Sequence, residues 1–420
     1  MDIFDILKLI LSCVIGILLF GNVVYPTVAL LFRKKYYPCG KLRRKYAVMI
    51  CARNEENVIG NLVDSLKFQD YPAELLDIYV LADNCDDFTA QVAASHGAEV
   101  FIRNDKTRVG KGFALNYLYA KIILKKGNEY DGFFIFDADN LLPADYVSKM
   151  NASFKGGNSV LTGIRNSKNF GDNWITAGYS IGWLFQTGLL NEGRKVLGIP
   201  CFVNGTGFLI GADVLRQSGG WNWFTLTEDC EFTVNCALNG VEIGICHDAE
   251  FYDEQPSSFI VSWKQRLRWT KGKYQMFKKY GFSVFKKIFS NRPHIFLDAF
   301  CNVVPSSLLI LLSAVISVIE LVIISPSLIA FASSVGMILI KSYVSMLFLG
   351  FLTVALWWRK IRATSLQKIL LTLFYPIHLA LYIPITFVAA FKRVEWTPIK
   401  HDVSISIKEL SENKKTPTNV

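Results

Sequence analysis

The stretch "FFIFDADN", residues 133–140, places two aspartates directly after four apolar residues. The apolar run predicts a buried strand, so Asp137 and Asp139 would lie at its carboxyl end. Two carboxylates this close repel each other and raise each other's pKa unless a cation lies between them. One interpretation is a solvated acidic turn. The other is a site for Mg²⁺ or Mn²⁺, which bind carboxylate oxygens and take further oxygens from waters and phosphates.

Strands and helices alternate around this stretch. Continuous apolar strands separated by helices predict an α/β fold with a mostly parallel sheet covered on both faces. Ligands of such sheets bind beyond the carboxyl ends of the strands, and Asp83, Asp137 and Asp139 all fall at strand ends. We therefore expect one ligand site there. The predicted strands are 46–52, 76–83, 99–103 and 133–136, and the predicted helices are 54–69, 90–96 and 110–126.

Both ends of the chain are strongly apolar. Residues 9–32 carry no charge and are followed by "RKK", which predicts a retained transmembrane helix with the next segment in the cytoplasm. Four further uncharged runs lie near the other end, and the middle two form either one tilted span or two short ones. We expect three or four C-terminal spans. The four runs are 299–319, 321–340, 342–358 and 369–391.

The apolar runs divide the chain into five segments. The chain has a formal net charge of +10 and a mean hydropathy of +0.30. We expect the polar tail to be disordered from Ile399 onward. The segments are an N-terminal transmembrane helix (1–35), a cytoplasmic domain (36–258), amphipathic interface helices (259–292), a C-terminal transmembrane region (293–393) and a polar tail (394–420).

Several common signatures are missing or lack their context. No G-x-G-x-x-G follows the first strand, and "VGKGFA" lacks the Walker spacing, which argues against a dinucleotide cofactor and a P-loop. Nine cysteines without a C-x-x-C pair and five scattered histidines argue against zinc. "GYSIG" at 178–182 matches the serine-hydrolase pattern G-x-S-x-G, but no strand-turn-helix surrounds it.

The motif "TED", residues 227–229, follows a glycine-rich stretch. Thr227 is expected to cap a helix whose first turn holds Glu228, Asp229 and Glu231, where acids favour the positive end of the helix dipole. Capping explains why acids are tolerated there. A carboxylate in this position is also a candidate general base for a sugar hydroxyl.

The segment 262–277, "SWKQRLRWTKGKYQMF", is predicted to be helical. Gln265, Arg268, Trp269 and Gly272 would share one face. An arginine beside a tryptophan offers a planar cation for phosphate and a ring on which a sugar can stack. The alternative is a basic amphipathic helix at the membrane surface, which we prefer for 277–289.

Seven short motifs of this chain occur in the order found in family 2 glycosyltransferases. Residues 46–275 resemble the membrane-embedded polysaccharide synthases that make cellulose, hyaluronan and poly-N-acetylglucosamine. The resemblance implies a GT-A type nucleotide-sugar-binding domain with a mostly parallel mixed sheet, flanked by transmembrane helices. It also implies a multi-pass protein of a bacterial plasma membrane. The motifs are "ARNEE" (52–56), "ADNCDDFT" (82–89), "GKGFALN" (110–116), "FDADN" (136–140), "GTGF" (205–208), "TED" (227–229) and "QRLRW" (265–269).

The resemblance assigns a role to each motif residue. Asp229 is the general base, with Glu228 beside it, and Asp139 and Asp137 bind Mg²⁺ or Mn²⁺ at the donor diphosphate. The implied donor-binding residues are Arg53, Glu55, Asp83, Lys111, Asp137, Gln265 and Arg268, and the implied acceptor-binding residues are Gly205, Thr206, Gly207 and Trp269.

The implied reaction is inverting transfer of a sugar from a UDP-sugar, UDP-GlcNAc or UDP-Glc, to a growing β-linked polysaccharide. The first alternative is a single addition to a lipid-linked acceptor, because one N-terminal span and a small C-terminal membrane region put processivity in question. The second is a membrane nucleotide-sugar binder without catalysis, or a transporter. Expected partners are the donor, the acceptor, membrane lipids and export or accessory subunits, with no nucleic acid.

Overall fold

The computed structural model describes residues 3–32, 42–324, 327–399, 401 and 403–412. The chain divides into two compact units, and each is built from several segments. Unit 1 contains Met1–Val24, Phe170–Gly182 and Ser257–Val394, and unit 2 contains Tyr25–Asn169, Trp183–Pro256 and Glu395–Val420.

Unit 2 is built on one seven-stranded sheet, ordered β3-β2-β1-β4-β6-β5-β7. Four of the pairings are parallel, and only the short strand β6 runs antiparallel to its two neighbours. This confirms the predicted α/β fold with a mostly parallel mixed sheet. The strands are β1 (Tyr46–Ala52), β2 (Leu76–Asp83), β3 (Glu99–Arg103), β4 (Gly132–Phe136), β5 (Ser159–Ser167), β6 (Phe208–Gly211) and β7 (Glu242–Asp253).

Helices connect these strands in unit 2 and make up most of unit 1. A 3₁₀ turn (Ala73–Leu75) and a π-helical turn (Gln186–Leu190) complete the regular structure. The helices are α1 (Ile3–Leu19), α2 (Gly21–Phe32), α3 (Ile59–Lys67), α4 (Thr89–Ser95), α5 (Lys111–Lys126), α6 (Tyr146–Ser153), α7 (Trp174–Phe185), α8 (Asn191–Val196), α9 (Ala212–Gln217), α10 (Glu228–Asn239), α11 (Phe259–Lys287), α12 (Pro293–Val303), α13 (Ser306–Ile324), α14 (Leu328–Leu356), α15 (Ser365–Thr372), α16 (Tyr375–Ala380), α17 (Tyr382–Phe391) and α18 (Ile407–Glu412).

The sheet core follows from the apolar strands. β1 is buried along nearly its whole length because both faces are covered, and Leu62 and Leu66 of α3 join its core cluster. Two asparagines turn the chain sharply at the carboxyl edge: Asn54 after β1 (φ 58°) and Asn84 after β2 (φ 54°). Asparagine tolerates this left-handed conformation better than other non-glycine residues. These turns place the side chains next to them at the predicted ligand edge.

Three described helical segments are long and apolar enough to cross a membrane: Ile6–Phe32, Ser306–Ile323 and Leu328–Leu356. A fourth candidate is the pair Ser365–Thr372 and Tyr375–Phe391, which bends by 43°. The predicted middle region is therefore one helix, α14, and not two short ones. The predicted run 299–319 is interrupted before Ser306, where α12 ends and α13 begins. The division into five segments stays a prediction.

In unit 1, α11 is fixed to the last helices by a buried arginine. The side chain of Arg266 is fully buried and donates to the carbonyl of His378 (2.7 Å) and to Ser262 Oγ (3.0 Å). Leu267 packs beside it against Ile385 and Ala389 of α17. The "QRLRW" motif therefore lies on a helix whose rotation is set by a buried charge and an apolar contact.

The expectation of a disordered tail from Ile399 onward is wrong for the described residues. Helix α18 belongs to unit 2, and its Leu410 packs in a small cluster with Leu141 and Tyr252. Composition predicted disorder because the tail is polar, but its few apolar residues, Ile405, Ile407 and Leu410, pack together in that cluster. Residues 413–420 lie outside the described part of the chain.

Candidate active site

Asp83, the last residue of β2, is held by two arginines. Its carboxylate accepts hydrogen bonds from Arg103 (2.7 Å) and Arg53 (3.0 Å), and Arg53 also donates to its carbonyl (2.8 Å). Asp83 is 5% exposed, so these charge-assisted bonds are shielded from water. Arg103 was missed by the sequence analysis, although its position at the end of the neighbouring strand could have indicated it.

Glu55, beside the turn at Asn54, pairs with His401 of the C-terminal segment (2.9 Å). Burial raises the pKa of Glu55 to about 7, while the bond from His401 opposes that shift. Burial alone would lower the pKa of His401, but Asp139, Glu55 and Glu254 outweigh it and raise that pKa to about 10. His401 is therefore a cation at neutral pH.

Two more described residues of this C-terminal segment contact other parts of unit 2 near Glu55. The ring of Trp396 lies 4.9 Å from the guanidinium of Arg53, and the Val403 N–H donates to Glu254 (3.0 Å). His401 and Trp396 were missed from the sequence because they lie more than three hundred residues from their partners. No local pattern could have connected them.

Lys111, at the start of α5, bridges two predicted site elements. It donates to the carboxylate of Asp137 and to the carbonyl of Gly205 (2.7 Å). Burial alone would lower the pKa of Lys111, but Asp137 and Glu228 outweigh it and raise that pKa. Lys111 is therefore charged, and it joins the strand end to the glycine-rich loop in unit 2.

Asp139 is 4% exposed and accepts a hydrogen bond from the Glu254 N–H (2.8 Å). Burial alone would raise its pKa, but His401, Lys168 and the Glu254 N–H hold that pKa below its usual range. Both aspartates of "DAD" thus face cations of the protein itself, Lys111 for Asp137 and His401 with Lys168 for Asp139. These cations offset the repulsion between the two carboxylates that the sequence predicts.

The glycine-rich loop is tied to the aspartate turn. Thr206 Oγ1 accepts from the Asp137 N–H (2.8 Å) and donates to Asn140 Oδ1. Gly207 adopts a left-handed conformation (φ 66°), and a Cβ there would lie 2.1 Å from the ring of Phe251. Glycine is therefore required at this position for two separate reasons.

The "TED" motif begins α10, as expected, but Thr227 does not cap it. Thr227 occupies the N-cap position, and its hydroxyl makes no cap hydrogen bond. The predicted cap is therefore wrong. Glu231 in the first turn of α10 accepts from the N–H groups of Phe224 (3.0 Å) and Thr225 (2.9 Å), which ties the preceding segment to the helix. Asp229 is half-buried, and a Cβ on Gly205 would lie 3.4 Å from its Oδ2. The candidate base therefore borders the loop that Lys111 contacts.

The remaining predicted residues lie on α11 in unit 1. Gln265, Arg268 and Trp269 are on one continuous helix, which confirms the predicted local structure. The Trp269 ring meets Tyr179 edge to face, with centroids 5.8 Å apart. The predicted roles of these three residues at the diphosphate and the acceptor stay predictions.

The two aspartates fit a divalent metal that takes most of its ligands from waters and substrate phosphates and not from the protein. Within the described ranges, no group of three His, Cys, Asp or Glu side chains could hold a metal ion. Mg²⁺ in nucleotide sites keeps several waters and binds through one or two carboxylates and the substrate phosphates. Asp139, kept ionised although buried, suits that role with Asp137 beside it.

Comparison with known proteins agrees with this arrangement. Residues 43–272, more than half of the chain, match the model of the family described as "Glycosyltransferase like family 2". The chain belongs to this family. Its membership confirms the resemblance inferred from the motifs and the predicted class of enzyme, a glycosyltransferase.

Relatives include two beta-monoglucosyldiacylglycerol synthases. That of Synechocystis sp. is 29% identical over 243 residues, which cover 56% of this chain and 48% of the relative. That of Trichormus variabilis is 28% identical over 244 residues, 56% of this chain and 50% of the relative. The chain thus spans about half the length of these relatives.

A solved structure covers more of the chain at lower identity. It is the mannosyltransferase PcManGT from Pyrobaculum calidifontis in complex with GDP-Man and Mn²⁺, which matches with a TM-score of 0.58 and 16% identity. The match covers 91% of this chain and 99% of that one. This likeness confirms the GT-A type fold.

Replacing Gly207 by alanine should destabilise unit 2 strongly. A left-handed alanine costs about 1–2 kcal/mol, and the clash with Phe251 adds about 1–3 kcal/mol of overpacking. We expect the melting temperature of the detergent-solubilised protein to fall clearly. Gly240→Ala is the matched control, because Gly240 has a similar φ (70°) and nothing within 4 Å of its Cβ position. Equal melting temperatures for the two variants would contradict the packing argument.

Proposed function

We propose that the protein transfers a single sugar from a UDP-sugar to a membrane lipid of the diacylglycerol type, with inversion to a β-glycoside. The observation that carries this proposal is Lys111, a partly buried cation that contacts Asp137 and the Gly205 carbonyl beside Asp229. A cation, two strand-end carboxylates and a candidate base then meet at one edge of unit 2. The names of the two synthases support a lipid acceptor, and the candidate membrane helices support a location in the bilayer, where such an acceptor resides.

Transfer to a growing polysaccharide is the second candidate. It rests on the resemblance to the polysaccharide synthases. A lipid acceptor is favoured because it reaches the enzyme by diffusion in the bilayer and its product needs no channel. We place the catalytic domain at the cytoplasmic face of the plasma membrane, where UDP-sugars are available and where the basic "RKK" after the first span would hold it.

The donor would bind at the carboxyl edge of the sheet. Asp83 orients Arg53 through two hydrogen bonds, which leaves a fixed polar surface for the uridine. Lys111 neutralises Asp137 and so lowers the repulsion that the anionic diphosphate would otherwise meet. Asp139 and Asp137 would hold Mg²⁺ or Mn²⁺, whose charge stabilises the departing diphosphate.

The acceptor would be activated by Asp229. Its carboxylate takes the proton of the acceptor hydroxyl as the hydroxyl oxygen bonds to the anomeric carbon. The bond between that carbon and the UDP oxygen breaks on the opposite face, and UDP leaves with the electron pair. Attack from the opposite face converts an α-linked donor into a β-linked product. Glu228, which helps to keep Lys111 charged, supports the donor side of this step.

Asp229→Asn should lower the rate of sugar transfer by about 10²–10⁴, because a general base typically contributes that factor. Binding of UDP, measured by calorimetry, should change little, since Asp229 would act on the acceptor. The matched control is Asp248→Asn, which removes an exposed carboxylate from β7. A transfer rate within a few-fold of the parent protein, with unchanged folding, would exclude Asp229 as the base.

Chelation should abolish transfer. If Asp139 and Asp137 hold the metal, EDTA removes a group that stabilises developing charge, and added Mg²⁺ or Mn²⁺ should restore the rate. Asp139→Asn should raise the metal concentration needed for half-maximal rate. Full transfer in EDTA would show that the protein's own cations suffice.

The acceptor is tested by product analysis. Purified protein in diacylglycerol-containing vesicles receives labelled UDP-Glc or UDP-GlcNAc, and we expect one labelled glycolipid by thin-layer chromatography. Asp229→Asn serves as the inactive control. A ladder of products would support the polysaccharide candidate instead. No transfer from either donor, with UDP still bound, would favour a non-catalytic binder.

A further inference from the structure

The positive charge of the chain is concentrated on one helix. Between Glu254 and Asp298 the sequence holds ten lysines and arginines and no acidic residue. Nine of the ten lie on α11, which ends at Lys287. The formal net charge of the whole chain is +10, so the charges elsewhere nearly cancel. An unbalanced run of this length attracts an anionic partner over several ångströms.

The second half of α11 carries this charge on an exposed apolar face. Phe282 and Phe285 of α11 are exposed, Phe282 by 71%, and Phe289 in the turn that follows the helix is 79% exposed. The spacing of these residues along the helix brings the exposed Lys278, Lys279 and Lys286 onto the same face. We call these six residues the Phe-Lys face: Lys278, Lys279, Phe282, Phe285, Lys286 and Phe289.

The opposite side of the helix is packed within unit 1. Met276, Gly281 and Val284 on that side are buried. Phe285, at the edge of the Phe-Lys face, is partly covered by α12, because its ring lies 5.6 Å from that of Phe300. The Phe-Lys face is thus the outward side of a fixed helix. Lys286 also lies 4.5 Å from the Phe282 ring, so charged and apolar groups are interleaved.

The position along the chain indicates the occupant. The candidate span Ser306–Ile323 begins fewer than twenty residues after α11 ends, and α12 fills most of that interval. Eighteen residues separate the end of α11 from the start of this candidate span, which keeps the end of the helix within reach of the lipid headgroups. There, phenylalanines can enter the boundary of the acyl chains while lysines meet the headgroup phosphates.

We propose that the Phe-Lys face binds the anionic phospholipids of the membrane in which the protein sits. Zwitterionic headgroups present no net charge to the lysines, whereas an anionic surface attracts each of them. The face therefore selects the lipid composition around the enzyme. This interaction is separate from sugar transfer and does not depend on the proposed reaction.

The test measures lipid selection without activity. Full-length protein is reconstituted into vesicles of equimolar phosphatidylcholine and phosphatidylglycerol, extracted in mild detergent, and its retained lipid is quantified by mass spectrometry. We expect phosphatidylglycerol to be enriched around the parent protein. Lys278→Gln with Lys286→Gln should reduce the enrichment by up to about fivefold per lysine, the effect of one charge near an anionic surface.

Two controls isolate the face. Lys67→Gln with Lys121→Gln removes the same charge from exposed positions of unit 2 and should leave the enrichment unchanged. Raising the salt from about 0.1 M to about 1 M shortens the Debye length from about 10 Å to about 3 Å and should reduce the enrichment of the parent protein. Equal enrichment in the two double variants overturns the proposal. Enrichment of phosphatidylglycerol that does not change with salt also overturns the proposal. Loss of sugar transfer by the Lys278/Lys286 variant with unchanged lipid enrichment overturns it too, because it would indicate a partner other than lipid.

Discussion

The interaction on which the site depends is the contact of Lys111 with Asp137 and the Gly205 carbonyl. A sheet edge that collects several carboxylates cannot close around them without a cation, because their repulsion grows as water is excluded. Lys111 supplies that cation from the first residue of α5. The residue after Lys111 must be a glycine, because a Cβ on Gly112 would lie 2.1 Å from the Trp223 carbonyl oxygen. This one side chain joins the strand end to the glycine-rich loop, and the carboxylate of Glu228 at the start of α10 adds to the field that keeps it charged.

The same principle is repeated around the other carboxylates of unit 2. Asp83 is balanced by two arginines and Glu55 by His401, while Asp139 faces His401 and Lys168. Each acid is buried and each is paired, which is the condition under which buried charge is tolerated. A site built in this way has fixed dipoles and charges before a ligand arrives. Such preorganisation is what stabilises charge that develops during phosphate departure.

Unit 1 obeys a different constraint. Its candidate spans need apolar surfaces for the bilayer, whereas α11 combines a buried arginine, the "QRLRW" motif and the Phe-Lys face. The motif half of α11 is fixed by Arg266 and Leu267, and the following half is exposed and basic. One continuous helix thus joins residues predicted to act on the substrate to a surface suited to lipid headgroups.

The sequence by itself determined the first four of the seven strands, the strand-end aspartates and the family, because apolar strands and short motifs are local patterns. It also located the apolar spans. Only the tertiary structure decided which cation meets which acid: Arg103 with Asp83, Lys111 with Asp137, and His401 with Glu55. These pairs join residues that are separated in the chain. An ion pair produces no repeating pattern in the sequence around either residue, so the sequence does not show which partner each residue has. The docked tail has the same cause, since contacts with residues distant in the chain outweighed the local preference.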